Sequence, residues 1–300
     1  SLRDCLDLVG EHARTHPDDL IWGHGWDESR WPDNTPPSAA DLESIAPGRQ
    51  IYLSRIDVHS AVCSPTLLDA AAGLAGFDRS GVVTAEAHHA VRAVARDALT
   101  PQQRARAQRA VLDEAAAAGI VAVHECAGPD ISGRDDLRQL LDTPHGVEVR
   151  AYWGEAVESA DAATALLAET GAHALGGDLF VDGAIGSRTA WLREPYADDP
   201  TAGCGRSYLD VDTIATHLRA CTQARIQAGF HVIGDGAVTA VVTAFERVVA
   251  ELGTPAVAAC GHRLEHLEMV TPEQAAELGA WGVLASVQPA FDALWGGDDG

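Results

Sequence analysis

Basic residues are scarce in this 300-residue chain: 21 arginine and lysine side chains stand against 44 acidic ones, a formal net charge of −23 at pH 7. A surface that negative repels phosphate backbones and anionic lipid headgroups, which excludes nucleic acid and membrane as partners. Aromatic residues are also few, at 5%, yet 46% of the chain is hydrophobic, enough to bury one barrel-sized core or two smaller ones. Six cysteines (Cys5, Cys63, Cys126, Cys204, Cys221, Cys260) form no CxxC pair, which excludes a zinc ribbon and a small disulfide scaffold and suits a reducing, cytoplasmic setting. No apolar run approaches the roughly 18 to 20 residues of a membrane helix, and the basic-then-apolar pattern of a signal peptide is missing at the start. The first residue is Ser1 and the last stretch, from Trp295 to Gly300, reads as an interrupted loop, so both ends are expected to be cuts.

What the chain does have is rhythm. From about residue 100, short apolar runs alternate with amphipathic helical stretches, as in parallel strands joined by crossover helices. Thr100, Pro101 and Gln103 make a helix start: N-cap, first-turn proline and capping box. Strands are expected at 120–124, 147–153, 179–182, 230–233, 262–267 and 283–288, with helices at 135–141, 160–169, 212–228, 238–252 and 272–278. A doubly wound sheet and a (β/α)8 barrel share this rhythm, but each of the six strands ends in polar or small residues, and barrels build their sites from such edges. The expected class over residues 100–300 is therefore α/β, with the strand ends favouring a TIM-like barrel over a doubly wound sheet. Residues 1–99 hold a short helix near 2–12, a Trp/Gly/Pro-rich loop at 22–37 and one strand near 50–54. They lack a βαβ rhythm and read as an α+β insertion or lid on the barrel mouth.

Position sorts the 13 histidines. His231 ends a strand on a Gly-Asp turn (Gly234, Asp235), and His266 ends one just before the helix start Thr271-Pro272. Both suit neutral imidazole ligands of a divalent metal; the alternative is a pair of hydrogen-bonded core histidines. His262 to His266 also matches the H-x-x-E-H pattern of a zinc protease, which requires a helix, whereas the context reads as a strand with His262, Leu264 and His266 on one face. Residues 182–190, with Asp182 and Arg188, open a long loop at a strand end, and Arg55, Asp57 and His59 share a face if their segment is extended. Trp22, Trp26 and Trp31 read as packing of the insertion. Asp57, His59, Asp182, Arg188, Asp235, Glu265 and Gln288 are candidates for substrate contact or support of a metal.

Taken together, Gly23-His-Gly-Trp26-Asp, Arg55-Ile-Asp57-Val-His59, Gly119 to His124, Asp182-Gly183 to Ala190, His231-Val-Ile-Gly-Asp235, Arg263-Leu-Glu-His266 and Ser286-Val-Gln-Pro289 resemble the YtcJ-like branch of the amidohydrolase superfamily, the amidohydrolase 3 family. The resemblance spans nearly the whole chain. It implies a distorted (β/α)8 barrel of the metal-dependent hydrolase type, of which strands two to seven are present, and metal-activated hydrolysis of an amide or other non-peptide C–N bond in a small molecule. It further implies one or two Zn²⁺ ions, with His231 as the fifth-strand ligand and His266 as the sixth.

The chain departs from the family in three ways. No HxH pair occurs, the eighth-strand acid that would serve as general base is expected beyond Gly300, and Asp178 stands where many relatives carry a lysine, which makes it a candidate for substrate contact or support of the metal. This stretch alone is therefore expected to be inactive. An inactive barrel with a binding role and an unrelated α/β binding module are the competing classes, and a second copy of the chain is a candidate partner.

Overall fold

A computed structural model describes residues 1–17 and 20–291. The chain divides into two compact units, Ser1–Arg104 and Ala105–Gly300.

The first unit opens with α1 (Leu2–Thr15), whose Ser1 and Asp4 make a capping box, followed by β1 (Ile21–Trp26), α2 (Ala39–Ile45), β2 (Ile51–Arg55) and β3 (Ser60–Cys63). The short α3 (Pro65–Leu68), β4 (Val82–Thr84) and α4 (Ala85–Ala98) complete it. The sheet runs β1-β2-β3-β4, with β1 and β2 parallel and the other pairs antiparallel. This corrects the sequence reading of one strand and no βαβ rhythm, because β1-α2-β2 is a βαβ unit. Its first strand hides in a segment that reads as a loop: Gly25 takes φ 95° and shifts the register between His24 and Trp26. Trp26 is buried and its indole N–H donates to the Leu53 carbonyl at 2.8 Å, so it packs the sheet as expected. Arg55, Asp57 and His59 do not share an extended face, since the chain turns between β2 and β3 with Val58 at φ 55°.

α5 (Pro101–Ala117) crosses the division between the units, its start capped by reciprocal bonds between Thr100 and Gln103. The second unit then alternates β5 (Ala122–Ala127), α6 (Arg134–Leu141), β6 (Glu148–Trp153) and α7 (Ala160–Thr170). A long segment leads to α8 (Val211–Ala224), β7 (Gly229–Val232), α9 (Asp235–Leu252), the short α10 (Thr254–Ala258), β8 (Arg263–His266), α11 (Pro272–Ala280) and β9 (Leu284–Ser286).

The strand expected at 179–182 is not a regular strand. Residues 174–181 instead make isolated parallel pairings, Ala174 with Tyr152, Leu175 with Ala228 and Phe180 with His231. The cause is the glycine pair within the segment: Gly177 sits at φ 74°, which breaks extension, and a Cβ on Gly176 would overlap the Gly229 backbone. The segment still bridges its neighbours, so β5, β6, residues 174–181, β7, β8 and β9 follow one another in sequence order, all parallel. A doubly wound sheet would reverse that order at a switch point.

The array is also curled. Arg263 on β8 donates from Nη1 to His124 Nδ1 on β5 at 2.6 Å and to the Tyr152 hydroxyl on β6 at 3.1 Å. In a flat sheet β5 and β8 would lie four strand spacings apart, about 19 Å, beyond any arginine's reach. On the outer face Phe230, Val232 and Leu264 are fully buried in one core with Leu218 of α8 and Val238, Val241 and Phe245 of α9. Register pairs Gly229 with Arg263 and His231 with Glu265 on the inner face.

Candidate metal centre

His231 sits on the inner face near the end of β7 and is 2% exposed. His266 ends β8, and simple alternation would put it on the outer face with Leu264. Its backbone at φ 69°, followed by Leu267 at φ 50°, breaks the alternation and swings the imidazole inward, where its ring centre lies 4.5 Å from that of His231. The sequence expectation that His262, Leu264 and His266 share a face therefore fails at His266. His262 stays outward, buried, with Nδ1 accepting the Ala228 amide at 2.9 Å and Nε2 facing the Thr222 hydroxyl at 3.0 Å. Because Arg263–His266 is a strand, the H-x-x-E-H protease reading falls: its two histidines do not share a helix face.

The third member is Asp178. One donor atom from each of Asp178, His231 and His266 lies within 4.8 Å of the others. The Asp178 carboxylate is 3.7 Å from His231 Nδ1, an ion-pair separation rather than a hydrogen bond. Ligand atoms about 2.0–2.2 Å from a tetrahedral ion stand about 3.5 Å apart, so the cluster needs only a small contraction to close on one. The remaining ring nitrogens are tied down. The Gly183 carbonyl faces His231 Nε2 at 3.2 Å, which calls for a proton there, so that the neutral ring presents its Nδ1 lone pair toward Asp178. The Gln288 amide oxygen faces His266 Nδ1 at 2.7 Å, which places the proton there and leaves Nε2 with its lone pair.

Burial works to lower the His231 imidazole, but the carboxylates of Asp178 and Asp182 outweigh it and raise the group above its usual range. His266 is pushed down to about 4, first by burial and then by the charge of His231. The pair is thus held as one neutral imidazole beside one that readily carries a proton, a state in which a cation can take the proton's place.

The other sequence candidates divide. Asp182 is buried against backbone amides beside the cluster, and Gln288 holds His266. Glu265 lies on the inner face in a bidentate pair with Arg263, at 2.6 and 3.0 Å. Arg263 is a site residue that the sequence reading misses, although alternation with Glu265 carries the signal; it also donates to the Ser286 hydroxyl at 2.8 Å and lies over the Tyr152 ring. Asp235 does not join the cluster: its carboxylate accepts the Arg193 amide at 2.9 Å. Arg188, at φ 53°, pairs with Asp198 at 2.6 Å. In the first unit Arg55 bonds Glu28 at 2.9 Å and Asp57 at 2.8 Å, and Asp57 accepts the His59 amide at 3.1 Å, a salt-bridged turn. The general base expected beyond Gly300 and the loop at 295–300 lie outside the described residues.

A family model described as the amidohydrolase family matches residues 1–300. YtcJ of Bacillus subtilis (strain 168) is 26% identical over 317 aligned positions, which cover 96% of this chain and 57% of that protein. LONG AFTER FAR-RED 3 of Arabidopsis thaliana is 24% identical over 298 positions, covering 90% and 50%. Among solved structures, a metal-dependent hydrolase of Pyrococcus furiosus matches with a TM-score of 0.65 at 25% identity, over 98% of this chain and 62% of that one. One of Pyrococcus horikoshii OT3 shares the fold at a TM-score of 0.65 and 21% identity, over 97% and 58%. The chain thus spans between half and three-fifths of the length of the curated relatives it matches.

Proposed function

The chain belongs to the amidohydrolase family, and on that premise we propose that it forms the larger part of a metal-dependent hydrolase acting on an amide or related non-peptide C–N bond of a small molecule. The curled, sequentially ordered strands are read as strands two to seven of a (β/α)8 barrel, closed in the full-length protein by strands from outside residues 1–300. The observation that carries the reading is the convergence of two imidazoles, each with one nitrogen tied to a neighbour, and one carboxylate at the C-terminal edge of this array.

In this reading His231 Nδ1, His266 Nε2 and Asp178 hold one divalent ion, Zn²⁺ being the ion best matched to imidazole and carboxylate donors. When bound it would polarise a carbonyl and lower the pKa of water. A second ion bridged by a carboxylated lysine is not part of the proposal: all 21 basic residues are arginine and the chain has no lysine. The protein's own groups fix the donors: Gly183 and Gln288 set the ring tautomers, and Arg263 neutralises Glu265 beneath them.

The test uses the full-length gene product, stripped with a chelator and assayed on a panel of small N-acyl compounds. Hydrolysis should return with zinc, manganese or cobalt and fall by at least roughly 100-fold in His231→Ala, first-sphere loss exceeding that of outer-sphere changes. Hydrolysis that survives both chelation and that substitution would contradict the proposal.

A further inference from the structure

A buried carboxylate stands beside the three-donor cluster without belonging to it. Asp182 is 0% exposed; one oxygen accepts the Ile233 amide at 3.0 Å, the other the amides of Gly234 at 2.7 Å and Trp191 at 2.9 Å. The three amides come from two separate segments. Ile233 and Gly234 lead out of β7 just after His231, while Trp191 belongs to the long loop that follows Asp182 itself.

The same point fixes more than these amides. The Trp191 carbonyl accepts the Gly236 amide at 3.0 Å in the first turn of α9, and Gly234 admits it, since a Cβ there would overlap that carbonyl. Gly183, the next residue after Asp182, supplies the carbonyl opposite His231 Nε2. His231 therefore hangs from Asp182 twice: its backbone through Ile233, its ring through Gly183.

We propose that Asp182 is a positioning residue for His231: by gathering three amides from two segments it fixes the Gly183 carbonyl against the ring, which holds the Nε2–H tautomer and keeps the Nδ1 lone pair toward Asp178. The functional consequence rests on His231 being a metal ligand; the geometry does not. A carboxylate is required because three N–H donors converge on it. An asparagine would turn its own NH2 toward one of them and leave a buried donor opposed to a donor. A residue that merely stabilised the core would, when replaced, lower the melting temperature and leave the ring tautomer alone.

The test is nitrogen-15 NMR of the His231 ring in the metal-free chain, above the pH range in which the imidazole titrates, for the wild type and Asp182→Asn, with cobalt titrations on the same samples. The wild type should show the Nε2–H tautomer. The folded variant should show a mixture of tautomers, and its cobalt affinity should fall roughly tenfold to a hundredfold. Unchanged ring signals in a folded Asp182→Asn would overturn the proposal. If the variant does not fold, the wild type alone decides: an Nδ1–H tautomer, or amides of Trp191, Ile233 and Gly234 exchanging as fast as unprotected ones, would overturn it as well. A tautomer that responds to Asp182→Asn in a chain that binds no cobalt would sustain the positioning role and remove the metal site.

Discussion

His231 and His266 reach each other by different backbone routes. His231 arrives by ordinary alternation, opposite Glu265 on the inner face of β7. His266 arrives because it and Leu267 occupy the left-handed region, a conformation that costs about 1–3 kcal/mol for a residue with a side chain and persists where the surroundings enforce it. The Gln288 amide oxygen is one such constraint, 2.7 Å from the ring. Gln288→Ala should therefore weaken metal binding about tenfold, measured by competition with a chromophoric chelator, with the fold unchanged. Affinity equal to the wild type would show that Gln288 does not hold the ring. Both histidines are legible in the sequence as strand-end residues. Asp178 is legible only through the resemblance, as the residue at the usual lysine position; its role as a third donor is not, because it enters the site through the bend at Gly176 and Gly177. Nor is the inward turn of His266, since period-two alternation cannot anticipate a left-handed residue.

Residues 174–181 show the same limit at the scale of an element. Caps and periodicity place the start of α5 and both ends of α7 and α11 within one or two residues, and five strands fall near their expected positions. The sixth is split by glycines, so its pairing with β6 and β7 begins at Ala174, ahead of the apolar run that announces it. Gly176 packs against the backbone of Gly229, where neither backbone can yield. Gly176→Ala should destabilise the second unit by about 1–3 kcal/mol. Gly279, inside α11, is the internal comparison, because a Cβ added there would have nothing within 4 Å: Gly279→Ala should be neutral or stabilise by up to about 1 kcal/mol. Urea unfolding followed by circular dichroism distinguishes them, and equal midpoints for the two variants would refute the close-approach argument.

Across the whole molecule, the histidines make stability depend on pH. His217 and His262 are buried, each accepting a backbone amide, and burial drives both down to about 4. Unfolded, each would take up a proton near 6.5. Between pH 6.5 and about 4 the unfolded chain binds protons that the folded chain refuses, so stability should fall through that window, by up to about 3 kcal/mol per residue. His231, raised by its carboxylate neighbours, has the opposite sign: its contribution is present below 6.5 and is lost as the pH rises through its folded value. Thermal unfolding of the metal-free chain should show a net decline from pH 6.5 to 4, whereas a flat profile would mean that the two core histidines are solvated. A chain of net charge −23 also draws cations to its surface, so metal uptake must be separated from non-specific attraction.

Metal content makes that separation. The wild-type chain and His231→Ala/His266→Ala are each loaded with zinc, dialysed against a weak competitor at high ionic strength and measured by mass spectrometry. One zinc per wild-type chain and essentially none in the double variant are expected; equal zinc in both, or none in either, would contradict a metal centre held by His231 and His266.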